Sequence, residues 1–247
     1  MFKFGSDLFI NTQVVKIYDL NMKKVIILGA SDGLGKAIAN LCREEGADVI
    51  NISRTACDVS GVINIACDLS IEKSVNDAVE TVKEEHGDFD AIINCAAIVA
   101  MEKINEITYP KLERAFKINT IAPLYFLSKL FNNIVENEAD IVNVGITGDL
   151  KAGFSDQLAY TSTKYGLRGG SYNFALELSK TKSRMIYVHC GGMNTKMHEK
   201  DYGLKIDDPA AWMNPADVAS IILSLLKLPK QIEISEITIN RKGRRLE

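Results

Sequence analysis

Apolar residues follow two alternating rhythms along this chain. Short, nearly unbroken apolar runs occur at 23–31, 48–54, 61–70, 89–97, 139–145, 184–192 and 233–240. Runs of that length, rich in Val and Ile and closed by turn residues, predict buried strands. Between most of them lie longer stretches with apolar positions at helical spacing: 33–47, 71–87, 106–137, 159–180 and 214–228. Only the second and third strands lack an intervening helix. Arg54 and Asp68 are too close in sequence to fit one, so a short loop through "TACDVSG" joins them. This rhythm predicts one doubly wound α/β domain over 23–247, with about seven parallel strands covered by helices on both faces.

Local signals set the ends of these elements. Gly46 stops the first helix. Ser70 is a candidate cap for the second. Pro110 suits the first turn of the 106–137 pattern, whereas Pro123 must bend or divide it. Asn214 followed by Pro215 marks the start of the last helix. Residues 1–22 form a separate extension. "FINTQVVKIYDL" alternates weakly and is read as a strand or short hairpin, or as a flexible lead-in. It lacks the continuous apolar core of a signal peptide.

Composition narrows the function classes. The 247 residues carry 29 basic and 32 acidic side chains, a near balance that gives no reason to expect a nucleic-acid partner. No stretch approaches the ~20 apolar residues of a membrane span. Cys42, Cys57, Cys67, Cys95 and Cys190 form no CxxC pair, and the three histidines show no metal-ligand spacing. Free thiols in a reducing, cytoplasmic setting are expected, with no metal.

"GASDGLG" places Gly29, Gly33 and Gly35 between the first strand and first helix. Gly29 permits a tight turn, Gly33 lets backbone approach a phosphate, and Gly35 lets the helix pack on the sheet. The helix N-terminus adds unpaired N–H groups for an anion. The second strand ends in Ser53 and Arg54, with no carboxylate to accept from ribose hydroxyls. An arginine there can pair with a 2′-phosphate, which favours NADP(H) over NAD(H); otherwise it is a solvated surface residue. Asp68 either accepts from an adenine amino group or caps the following turn. "NCAA" at 94–97 puts small residues at the end of the fourth strand.

Tyr160 and Lys164 are i and i+4 on one helix face. A phenol near pKa ~10 is a poor proton donor or acceptor at neutral pH, and an adjacent ammonium favours its ionised form. Such a pair can protonate a carbonyl oxygen while hydride reaches the carbon, or run in reverse.

These pieces, with Asn119 in "FKINTIAP", "GGMNT" at 191–195 and "NPADVA" at 214–219, make the chain resemble the short-chain dehydrogenase/reductases over residues 23–243. The resemblance implies a single Rossmann-like domain that interconverts alcohols and carbonyls with NAD(H) or NADP(H). Implied cofactor contacts are Gly29, Ser31, Asp32, Gly33, Leu34, Gly35, Ser53, Arg54, Asp68, Leu69, Asn94, Ala96, Tyr160, Lys164, Gly191 and Thr195. Implied catalytic residues are Asn119, Thr147, Tyr160 and Lys164. The family serine lies thirteen positions before the tyrosine, which is Thr147 here; if one residue is inserted, Ile146 takes that place and no hydroxyl remains. Cys190 stands for the usual proline before "GG", and Ala97 for a usual glycine. The resemblance also implies a homodimer or homotetramer through helices over 107–136 and 158–180, and a substrate lid over 196–213 suited to a small carbonyl or alcohol. The alternative is a catalytically impaired dinucleotide-binding protein serving as sensor or assembly partner.

Overall fold

The structure, a computed structural model, describes residues 22–99, 101–150, 155–197, 199, 208 and 211–242. Apart from Met22, the N-terminal extension lies outside the described residues, as does much of the expected lid.

Seven described strands form one parallel sheet in the order β3-β2-β1-β4-β5-β6-β7. They are β1 (Lys24–Leu28), β2 (Asp48–Ser53), β3 (Val62–Ala66), β4 (Ala91–Asn94), β5 (Asp140–Ile146), β6 (Met185–Cys190) and β7 (Glu236–Ile239). The helices are α1 (Gly33–Glu44), α2 (Glu72–Glu85), α3 (Tyr109–Phe116), α4 (Ala122–Lys129), α5 (Phe131–Glu136), α6 (Leu158–Leu178) and α7 (Pro215–Leu226). As expected, no helix separates β2 from β3.

Strand alternation builds two cores, one on each face. Val25, Ile27, Val49, Ile93, Val142 and Val188 pack with Leu34 and Ile38 of α1 and with Val218 and Ile222 of α7. Their sequence neighbours Ile26, Ile50, Ile92 and Ile141 pack instead with Val75 and Val79 of α2, Phe126 of α4 and Leu178 of α6. Both faces are covered, so the strands need no polar side, and their uninterrupted apolar runs follow.

Caps agree with the sequence at one helix and differ at another. Asn214 accepts from the Ala216 amide at 2.9 Å, and Pro215 opens α7. Ser70 does not cap α2; Ile71 occupies that position without a side-chain bond. The Asp68 carboxylate takes the Ser70 hydroxyl and amide instead, at 2.6 and 2.8 Å. A carboxylate two residues earlier outcompetes a helix end for that serine.

The 106–137 pattern is divided, as Pro123 requires. A π-turn over Lys117–Ile121 separates α3 from α4, and the Ala122 amide reaches back to the Lys117 carbonyl. Such turns accommodate an extra residue without ending the helix.

At the N-terminal sheet edge, Arg184 and Asp140 are both almost fully buried. Arg184 donates Nη2 and Nε to the two Asp140 oxygens at 2.7 and 3.1 Å, and Nη1 to the Ile232 carbonyl at 2.9 Å. This fork ties β5, β6 and the lead-in to β7 together.

Candidate active site

Between β1 and β4 the strand order changes direction, which opens a crevice at the carboxyl ends of the strands. A cleft of ≈ 610 Å³ lies there.

Its dinucleotide end is shaped by missing Cβ atoms. Gly29 has φ +86°, and a Cβ on it would stand 2.9 Å from the Ala96 Cα. A Cβ on Gly35 would stand 2.0 Å from the Gly29 carbonyl oxygen. The turn therefore folds directly against the first turn of α1, and only glycine fits at both positions. Asp32 caps α1 by accepting from the Gly33 amide at 2.8 Å. A side chain of β2 holds the turn from below: Asn51, buried, accepts the Ala30 amide at 2.9 Å and donates to Asn64 at 2.8 Å. Sequence reasoning passed over Asn51, although an amide inside the apolar run "DVINIS" was a visible signal. Narrow backbone, a helix N-terminus and a cleft of this size fit a dinucleotide phosphate.

Every expected cofactor contact lines this cleft except Asn94. Asn94 is buried in the sheet and donates to Asn143 at 3.2 Å, so it supports the floor instead of forming it. Ser53 turns its hydroxyl to the Thr55 carbonyl at 2.5 Å. Arg54 is exposed at the rim, close enough to Asp68 for its charge to favour the Asp68 carboxylate. Burial opposes that carboxylate, but the Ser70 bonds and Arg54 carry it below its ordinary value. Thr195 meets the glycine turn from across the cleft: a Cβ on Gly33 would lie 3.3 Å from its methyl.

At the other end, α6 presents Tyr160 and Lys164, both buried. The Lys164 Nζ donates to the Val144 carbonyl at 2.8 Å and stands 6.0 Å from the centre of the Tyr160 ring. Burial pulls the Lys164 ammonium down to about 8, against a pull in the other direction from Asp149. Asn119 sits in the π-turn. Its side chain accepts from the Ile98 amide and donates to the Ile98 carbonyl, both at 2.8 Å, and donates to Thr163 Oγ1 at 3.0 Å. It thus binds the loop after β4 to the α6 residue beside Lys164, and it does not line the cleft.

Ile146 ends β5 and pairs with Cys190; Thr147 begins the next turn. Both are buried and both line the cleft. Ile146 packs in a small apolar cluster with Val99 and Tyr160, against which Ala97 and Met197 rest. Gln157, Met101 and Met193 also line the cleft and were not singled out as contacts. Of the expected lid, Lys196, Met197 and Trp212 reach this wall, whereas His198, Lys200, Asp201, Tyr202 and Asp207 lie outside the described residues. The five cysteines are all free thiols; burial pushes Cys190 up to about 12, which makes it an inert packing group. No described helix is long and apolar enough to cross a membrane.

Comparison with known proteins agrees with this geometry. Residues 23–203 match the family model for short chain dehydrogenase. An uncharacterized oxidoreductase of Staphylococcus aureus is 23% identical over 233 residues, covering 89% of this chain and 97% of the relative. A second, YxnA of Bacillus subtilis, is 25% identical and covers 88% and 66%. Among solved structures, aldohexose dehydrogenase of Thermoplasma acidophilum superposes with TM-score 0.80 at 22% identity, covering 90% and 94% of the two chains. An alcohol dehydrogenase of Thermococcus sibiricus, complexed with 5-hydroxy-NADP, gives TM-score 0.80 at 21% identity, covering 91% and 99%. With the family match spanning most of its length, the chain is an oxidoreductase of the short-chain dehydrogenase/reductase family.

Proposed function

We propose that this protein transfers a hydride between NADP(H) and a small carbonyl or alcohol substrate. The observation that carries this reading is the buried Lys164 ammonium beside Tyr160, at the end of a cleft whose other end is the glycine cradle. When bound, the nicotinamide would supply or accept the hydride. The chain's own residues handle the proton. Tyr160 gives its phenolic proton to the carbonyl oxygen in reduction and takes the alcohol proton in oxidation. Lys164, as an ammonium, favours the phenolate and so eases both directions. Thr147 offers the hydroxyl that a substrate oxygen needs beside the phenol. Asn119 keeps α6 in place through Ile98 and Thr163.

The preference for NADP(H) rests on Arg54 at the cleft rim and on the absence of a carboxylate at the end of β2. The 5-hydroxy-NADP in the Thermococcus protein is consistent with it. A small substrate suits a cleft whose reacting end is walled by Val99, Ile146, Met193 and Trp212.

One observation favours a second reading, a dinucleotide-binding protein that has lost its chemistry. Ile146, an apolar residue, touches the Tyr160 cluster where a hydroxyl would serve the reaction. A homo-oligomer is part of either reading. Tyr165, Tyr172 and Leu176 on α6 are exposed, and Gly169 faces open space. Gly170 and Gly166 are used inside the subunit, where a Cβ would meet Leu124 at 2.4 Å and Thr120 at 3.1 Å.

Fluorescence titration with NADPH and NADH, followed by NADPH oxidation against a panel of small aldehydes, ketones and keto acids, tests the proposal. Tight NADPH binding with turnover supports it. Binding without turnover across the panel favours the second reading, and failure to bind either dinucleotide refutes both.

A further inference from the structure

Behind the reacting end of the cleft lies a buried charge cluster that the proposed chemistry does not use. Asp149 ends the short turn over Thr147–Asp149 that follows β5, and it is completely buried. A buried carboxylate is costly unless partners surround it. Asp149 accepts from the Tyr187 hydroxyl at 2.6 Å, meets His189 Nδ1 at 2.5 Å, and receives the Ile146 amide at 3.4 Å. Its backbone carbonyl accepts Arg168 Nη1 at 2.9 Å.

His189 on β6 lies between two carboxylates and is hydrogen-bonded to one of them. Its Nδ1 faces Asp149, and its Nε2 stands 3.2 Å from Glu236 Oε1 on β7. A neutral imidazole has one N–H and one lone pair, so it would set a lone pair against one of the two carboxylates. An imidazolium donates Nδ1–H to Asp149 and sets positive charge near Glu236, its Nε2 not aligned for a hydrogen bond there. Arg168 of α6 closes the ring, donating Nε and Nη2 to Glu236 at 2.8 and 3.1 Å and reaching the Tyr172 hydroxyl at 2.9 Å. Arg168 thus meets Glu236, and a charged His189 would stand between Asp149 and Glu236, with Lys164 the further cation near Asp149. The Tyr187 ring stacks edge-on to His189 at 4.9 Å.

The cluster connects to the site at three points. The turn that Asp149 ends begins at Thr147. The Tyr187 hydroxyl lies 2.6 Å from Asp149 and 3.0 Å from the backbone carbonyl of Lys164. Gly145 makes room for that hydroxyl: a Cβ there would stand 2.2 Å from it.

We propose that Asp149 is a positioning residue of the reacting end, fixing the Thr147 turn and acting as buried counter-charge to Lys164 and to a His189 imidazolium shared with Glu236. This rests on the reading that Tyr160 and Lys164 react. Burial opposes charge on His189, yet the bond and charge of Asp149, with Glu236, raise it above its ordinary value. The same carboxylate favours the charged form of Lys164.

The test uses the full chain without substrate. Ring ¹⁵N signals of the three histidines are recorded against pH, with His189 identified by its loss in His189→Gln. Lysine ¹³Cε signals report Lys164, identified in Lys164→Met. His189 should lose its second ring proton at higher pH than an ordinary histidine does, as the other histidines of the chain report. Asp149→Asn keeps the size of the side chain and removes the charge. It should move the titrations of His189 and Lys164 down by at least about one pH unit each, with NADPH binding retained. If that variant does not fold, Glu236→Gln should lower His189 through the other carboxylate. A wild-type His189 that titrates no higher than an ordinary histidine, or unmoved titrations in a folded Asp149→Asn that merely melts earlier, would overturn the inference. A wild type that binds no NADPH while His189 titrates high would instead sink the reductase reading, so the two failures are distinguishable.

Discussion

The Lys164 ammonium is moored to the Val144 carbonyl at 2.8 Å, so its position is set by the end of β5 as well as by its own helix. One N–H is spent on that bond. Two remain for the cleft, where Tyr160 stands. The mooring keeps a long, flexible side chain in one place without a carboxylate in direct contact.

Removing the phenol should separate chemistry from binding. Tyr160→Phe is expected to cut turnover by about 10²–10⁴-fold with little change in NADPH affinity. Thr147→Val should cut it by about 10²–10³-fold if its hydroxyl faces the developing oxygen charge. Steady-state NADPH oxidation measures both. Unchanged turnover in Tyr160→Phe refutes the proton-transfer role. Unchanged turnover in Thr147→Val removes threonine from the site.

Lys164 should leave a signature in stability against pH. Burial lowers its folded-state value to about 8, from an ordinary 10.5. Between those values the unfolded chain carries a proton that the folded chain has lost, so stability from this group rises with pH across the window. Below about 8 both states are protonated and the full cost of burying the ammonium is present. Urea melts at several pH values should show this rise in wild type and not in Lys164→Met. Parallel curves would show that the ammonium is not depressed. Turnover that needs the ammonium should fall as pH rises through about 8.

Arg54→Ala should weaken NADPH by about 1.5–3 kcal/mol and leave NADH nearly unaffected, if the guanidinium meets the 2′-phosphate. Parallel fluorescence titrations decide it. An equal loss for both dinucleotides, or no loss, argues for a solvated rim arginine.

Gly35→Ala places a Cβ where the Gly29 carbonyl oxygen already stands. The backbone must shift, at about 1–3 kcal/mol of stability, and the cradle should lose its phosphate geometry. Thermal melts should show the first effect and NADPH titration the second. A variant that melts and binds like wild type would refute this account of the turn.

Arg184→Leu leaves the Asp140 carboxylate buried without its fork, although Lys230 still reaches it at 2.8 Å. A loss of about 3–5 kcal/mol in chemical denaturation is expected. The cleft lies at the far ends of the strands, so NADPH affinity of the folded variant should stay near wild type.

The fold was legible because the central strands are buried on both faces and each helix on one, which writes two distinct periods into the chain. Glycines were legible too, since Gly29 and Gly35 stand where a Cβ cannot. Asn51, Asp149 and His189 were not. Their roles depend on neighbours from strands far apart in sequence, and a polar residue in an apolar run does not announce its partner. Ser70 misled because a serine before a helix reads as a cap, while the competing Asp68 acceptor acts only once the turn is formed. Ile146 and Thr147 show the limit of counting: spacing from Tyr160 favours the threonine, and packing on Tyr160 is done by the isoleucine.

Asn119 carries both a carbonyl and an N–H on its side chain, the same pair of groups that a peptide unit offers. It spends them on the amide and carbonyl of Ile98, so a side chain satisfies both backbone groups of a loop residue as a strand partner would. This counterfeit peptide explains an asparagine inside a helical segment, where its propensity is poor. It also sets what can replace it. Aspartate has the acceptor and no donor, leucine has neither, and glutamine has both but one methylene further out. A single amide thus fixes a loop residue past the end of β4, and that residue, Ile98, faces the cleft.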